Sequence, residues 1–145
     1  MSPYWPAYAE AAGRGDVAWI RHTARQNLAR TLGLLAAGAL AVIWIGRPFI
    51  RLWAGDSAVP SQPLLFAMAL YFMLMACSMN FGMLLLGLGR LKTKAALGIV
   101  VTVAHILGFV LLSPRLGVAA LPVAGSIGIA VEALASGAIV YRALR

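Results

Sequence analysis

Polar and apolar positions separate along this chain on the scale of whole helices. Four stretches are long and nearly free of charge, at about 28–46, 64–89, 95–113 and 116–141. A helix of ~20 residues crosses the ~30 Å hydrocarbon layer of a bilayer, so each stretch is predicted to be a transmembrane helix. The first is the shortest, with its clean part after Arg30 and with Arg47 snorkelling to the interface beyond it. The second carries no charge, Pro114 closes the third, and the fourth holds a single charge, Glu132. The links Arg90-Leu-Lys-Thr-Lys94 and Pro114-Arg115 are short, which forces antiparallel neighbours. Only the 47–63 link has room for structure of its own. Its Pro48-Phe-Ile-Arg-Leu-Trp53 stretch is predicted to lie flat on the membrane, with Trp44 and Trp53 as belt residues.

Residues 1–27 follow a different pattern. Met1 to Ala12 is aromatic and apolar but too short to span, and Gly13-Arg-Gly-Asp16 interrupts it. Asp16 is a good N-cap. Val17, Ile20, Ala24 and Leu28 then recur at helical spacing, with Arg21, Arg25 and Gln26 off that stripe. This predicts a short amphipathic helix on the cytoplasmic surface. No basic and apolar region precedes a small-residue cleavage site, so a cleavable signal peptide is not expected. The fold class is thus an all-α membrane protein: four antiparallel transmembrane helices preceded by a short amphipathic helix. Residues 1–27 form a leading segment and 28–145 the membrane part.

Composition agrees. Of 145 residues 62% are hydrophobic and 11% charged, against about 25% charged in soluble domains. The net charge of +8 does not point to nucleic acid, because the basic residues sit between apolar runs and orient helices. With the N-terminus inside, nine basic residues are cytoplasmic and three (Arg47, Arg51 and Arg115) are outside. The positive-inside rule therefore places both termini in the cytoplasm. Small residues recur at helical spacing, as Gly33, Ala37 and Ala41, as Ala104 and Gly108, and as Ala120, Ala124 and Gly128. Such faces let helices approach closely in lipid.

Three polar residues lie within the spans: Asn80, His105 and Glu132. Each is ten residues from the cytoplasmic edge of its predicted helix, which sets all three ~15 Å deep at a shared level. An unpaired charge there costs at least ~2.5 kcal/mol. Glu132 is therefore expected to face the interior, with His105 on the adjacent helix as its partner in an ion- or proton-coupled site. The competing reading is a structural tie between helices. Arg14, Arg21 and Arg25 are candidate contacts for lipid phosphate, or else simply set topology. The lone Cys77 excludes an intrachain disulfide. The two His residues have no metal-ligand spacing, no carboxylates pair, and Gly87-Leu-Gly-Arg90 lacks the Lys-Ser/Thr of a phosphate loop. No metal, cofactor or enzyme activity is expected.

One stretch is more particular. Pro3-Tyr-Trp-Pro-Ala-Tyr-Ala-Glu-Ala11, followed by Arg14-Gly-Asp16 and Trp19-Ile20, resembles a recurring segment of bacterial polysaccharide flippases. These are the O-antigen and lipid-linked oligosaccharide transporters of the multidrug/oligosaccharidyl-lipid/polysaccharide exporter superfamily. Pro48-Phe-Ile-Arg-Leu-Trp-Ala-Gly55 and Leu86-Gly-Leu-Gly-Arg-Leu-Lys92 are similar to helix ends further along that family's chain. The resemblance implies a C-terminal fragment: the last four helices and the tail of the one before, from a transporter of two lobes of about six helices. It implies movement of undecaprenyl-pyrophosphate-linked oligosaccharide across the bacterial inner membrane, with the missing N-terminal lobe or other membrane subunits as partners. From the residues alone, a stand-alone small four-helix membrane protein acting as an oligomer or subunit is the alternative.

Overall fold

The structure is a computed structural model and describes residues 4–144. Among these the chain is helical, with no strand. Its helices are α1 (Trp5–Gly13), α2 (Val17–Ala54), α3 (Gln62–Gly87), α4 (Leu91–Leu116) and α5 (Ala120–Ala143). Pro3, which opens the flippase-like motif, and Arg145 lie outside the described residues.

The turn from α1 to α2 forms as its residues suggest. Gly15 takes a φ of 72°, a conformation that only Gly adopts without strain. The Asp16 carboxylate then accepts from the Trp19 amide at 3.0 Å, capping α2.

α2 is where the structure departs most from expectation. The amphipathic stretch, the first apolar run and the Pro48–Trp53 segment form one helix of 38 residues, about 57 Å long at ~1.5 Å per residue. Nothing between Val17 and Ala54 breaks the helix. The sole proline, Pro48, costs one backbone bond, and Arg, Gln, Leu and Ala are strong helix formers. The interruption comes only at Gly55, with φ 85°.

The other proline expectation also fails for a local reason. α4 continues through Pro114 to Leu116 and ends at Gly117, where φ is 54°. Pro114 cannot donate to the Val110 carbonyl one turn back. The Ser113 hydroxyl donates to it instead, at 3.2 Å. The Arg90–Lys94 link is likewise shorter than predicted. Gly89, with φ 72°, reverses the chain within residues 88–90, and Leu91 already begins α4. Lys92 and Lys94 therefore stand on the first turn of a helix.

Packing fixes the relative directions of the helices. Ideal Cβ atoms on Gly108 and Gly128 would meet Ala124 and Val101 at 3.1 and 3.3 Å, so α4 and α5 run antiparallel. The sites of Gly125 and Gly137 abut Tyr71 and Phe81, so α3 and α5 run parallel. α5 is the central helix, with Ala120, Ala124 and Gly128 all buried as a small-residue face requires. The Gly33–Ala37–Ala41 face of α2, by contrast, is exposed.

The buried core lies at one end of the bundle. Tyr8 and Ala11 of α1 meet Ile20 of α2, Leu84 and Leu85 of α3, and Val140 and Leu144 beyond. Elsewhere large apolar side chains face outward, among them Leu34, Trp44, Leu52, Ile99, Leu111 and Leu134. Three helical stretches are long and apolar enough to cross a membrane: Val17–Ala54, Gln62–Gly87 and Leu91–Ala143. The last folds back on itself at Gly117 as α4 and α5.

Candidate functional site

Two polar arrangements stand out, one buried among helices and one lining a cleft.

The buried one centres on Glu132, whose side chain is only 8% exposed. Its two carboxylate oxygens go to two different helices. Ser78 Oγ of α3 donates to Oε2 at 2.7 Å, and Lys94 Nζ of α4 donates to Oε1. The Lys94 stem needs room to reach inward, and α3 provides it. An ideal Cβ on Gly82 would stand 2.9 Å from Lys94 Cε. Gly82 is thus a notch through which the lysine lies. Ser136, one turn beyond Glu132, is fully buried with its hydroxyl unpaired.

Glu132 therefore faces inward, but His105 is not its partner. His105 Nε2 lies 3.1 Å from the Leu121 carbonyl near the start of α5, and its ring neighbours Tyr71. The predicted helix begins at Ala95, whereas α4 begins at Leu91. His105 packs against the Gly125 level of α5, seven residues or about 10 Å from Glu132. Asn80 does share the Glu132 level, because Ser78 and Glu132 pair across the parallel α3 and α5. Its amide donates to the Ala76 carbonyl at 2.9 Å, within its own helix. The cation that pairs with Glu132 was hidden by reading Lys94 as loop. A signal existed: a buried acid needs a cation on a neighbouring helix, and Lys94 is the one whose long stem points the right way.

The second arrangement is a cleft of 650 Å³ between α1, α2, α3 and α5. Arg21 and Arg25 line it from α2, Asn80 from α3, and Tyr8 and Tyr141 complete its polar lining. Leu28, Phe81, Leu84 and Val140 form its apolar walls. Arg21 donates to the Leu144 carbonyl, placing a cation at the C-terminal end of α5, where the helix dipole favours it. Tyr8 is buried by α1 docking and accepts from Asn27 Nδ2 at 3.1 Å. Burial pushes its phenol above the ordinary range, against the opposing pull of that hydrogen bond.

Arg14 is not part of the cleft lining. It pairs with Glu10 at 2.6 Å on the exposed face of α1. The three candidate arginines thus divide, two sharing a cleft and one held in an i,i+4 surface pair. Cys77 is half-buried and free, and no group of three His, Cys, Asp or Glu residues able to hold a metal occurs among the described residues.

No family model, curated protein or solved structure matches this chain.

Proposed function

We propose that this chain is the C-terminal, four-span part of a bacterial flippase for undecaprenyl-pyrophosphate-linked oligosaccharide. Its α2 to α5 cross the inner membrane and both ends lie in the cytoplasm. The observation that carries this reading is the Arg21–Arg25 cleft, whose cationic lining adjoins apolar walls. That chemistry suits an amphiphile with a phosphorylated head and a hydrocarbon tail. The resemblance of the 3–20 stretch names the class of amphiphile; that stretch contributes Tyr8 to the cleft and leads directly into the α2 turns that carry Arg21 and Arg25.

The exposed Gly33–Ala37–Ala41 face and the sparse burial of α2 support association with further helices. In the flippase reading these are the N-terminal lobe. A stand-alone four-helix protein that associates with its own copies uses the same face.

The Glu132–Lys94–Ser78 arrangement is neutral overall and joins three helices. We assign it to holding α3, α4 and α5 in register rather than to coupling an ion.

The test is movement of lipid-linked oligosaccharide in inner-membrane vesicles from the native cells, where the helices that complete the chain are present, read as the glycan's accessibility to an added lectin and compared with cells from which the chain is deleted. Arg21→Gln with Arg25→Gln should lower movement about tenfold, the loss of charge-assisted phosphate bonds. Parent vesicles with no movement above those lacking the chain would remove the flippase reading.

A further inference from the structure

A second cation pair lies on α2, far from the first. Arg21 and Arg25 are four residues apart near its start, and Arg47 and Arg51 are four apart near its end. Corresponding members are separated by 26 residues of one helix, or about 39 Å at ~1.5 Å per residue. The headgroup layers of a bilayer are separated by a similar ~40–45 Å. α2 thus carries an arginine pair at each membrane surface.

The far pair is set in a pocket of its own. Ile43, Trp44, Arg47, Pro48 and Arg51 line a 330 Å³ recess with Gln62, the first residue of α3. Trp44, Arg47, Pro48 and Arg51 recur at i, i+3, i+4 and i+7, which puts these four on one face. Arg51 is steadied by an ion pair with Asp56, whose Oδ1 lies 2.8 Å from Arg51 Nε. That contact is at Nε and leaves the two terminal nitrogens to donate elsewhere. Arg47 has no ion-pair partner among the described residues. Trp44 is 81% exposed, as an indole at a membrane interface is. With the N-terminus inside, these arginines sit on the side that the positive-inside bias depletes. Orientation therefore does not explain them.

We infer that Arg47 and Arg51, with Trp44 and Gln62, form a binding site for the phosphate or pyrophosphate of a lipid headgroup on the membrane face opposite the Arg21–Arg25 cleft. The guanidinium groups bind the phosphate oxygens in the geometry that favours arginine, and Gln62 supplies a neutral donor beside them. Trp44 lies over the apolar stem of the headgroup. The inference rests on the four-span reading above and extends it: the amphiphile that the cleft receives on one face has a second station on the other.

The test uses the full chain in phosphatidylcholine nanodiscs, titrated with undecaprenyl pyrophosphate. Phosphatidylglycerol and inorganic pyrophosphate are titrated in parallel. The readout is the part of the tryptophan emission change that Trp44→Phe removes. Undecaprenyl pyrophosphate should give a saturable change, and Arg47→Gln with Arg51→Gln should weaken it about tenfold or more. Arg115→Gln removes a charge outside the pocket and should leave it in place, which separates a site from bulk electrostatics. Circular dichroism checks that each variant is folded. Unchanged affinity in the Arg47/Arg51 variant, or an equal loss in Arg115→Gln, would overturn the inference. So would saturation by inorganic pyrophosphate alone at the same concentration, because the site would then not be a lipid site. Equal binding of phosphatidylglycerol would support a lipid-phosphate site while counting against the flippase reading. Binding that persists where vesicle transport is absent separates the two in the same way.

Discussion

Removing Lys94 should damage the protein more than removing Glu132, although the two are partners. Glu132 lies in the middle of α5 and its side chain is 8% exposed, whereas that of Lys94 is 28% exposed on the first turn of α4. Freed of Glu132, the lysine can withdraw along its flexible stem toward the open start of α4. The carboxylate has no such exit. In Lys94→Met it keeps only the Ser78 hydroxyl. Breaking a buried pair from one side costs about 3–5 kcal/mol, and the protonated alternative still forfeits the pair. Glu132→Leu leaves a lysine that can rehydrate and should cost about 1 kcal/mol, chiefly for the Ser78 bond. The double variant replaces the pair with apolar groups and should be much closer to the parent than Lys94→Met alone, as substituted buried pairs are. The coupling energy of the cycle is thus expected at about 2 kcal/mol or more. Equilibrium unfolding of the micelle-solubilised chain by increasing dodecyl sulfate, followed by far-ultraviolet circular dichroism, measures all four corners. Additivity within ~0.5 kcal/mol, or a larger loss for Glu132→Leu than for Lys94→Met, would refute the argument.

Two further expectations concern the docking of α1. A Cβ on Gly87 would lie 2.4 Å from Tyr8 Cβ and 3.2 Å from the Trp5 carbonyl oxygen, so Gly87→Ala should push α1 off α3. The expected loss is about 1–3 kcal/mol, as for an overpacked core, and hydrogen exchange should show faster opening confined to Trp5–Gly13. The Tyr8 phenol, raised chiefly by burial, should ionise above the ordinary phenol value in a spectrophotometric titration, and Tyr8→Phe should remove that late step. Because the folded value is raised, the stability from neutral Tyr8 is fully present below the unfolded value of 10.0 and is lost as pH climbs through the folded one. Asn27→Ala removes the hydrogen bond that favours the phenolate and should delay the step further.

Much of the architecture was legible in the order of residues, because helices in an apolar setting are local objects. Four apolar runs appear as long helices or parts of them, Asp16 caps where a cap was expected, and the Ala120–Ala124–Gly128 face is buried. Helix ends were less legible. A proline is a strong breaker on average, yet Ser113 covers the carbonyl that Pro114 exposes, and α2 runs through Pro48. Counting from predicted ends then carried the error inward. A helix starting at Ala95 puts His105 level with Glu132 and Lys94 in a loop, whereas α4 starts four residues earlier, at Leu91.

The sequence by itself determined that this chain is helical, that its helices are apolar enough for lipid, and that Glu132 must be buried and satisfied. Such properties follow from composition and period, which act over neighbouring residues. Only the tertiary structure decided which cation satisfies Glu132. It also decided that Arg21 and Arg25 share a cleft while Arg14 stands apart, and that α1 closes one end of the core. Those outcomes depend on the parallel register of α3 and α5 and on the notch at Gly82. Both are set by packing between residues far apart in sequence, where no local period reaches.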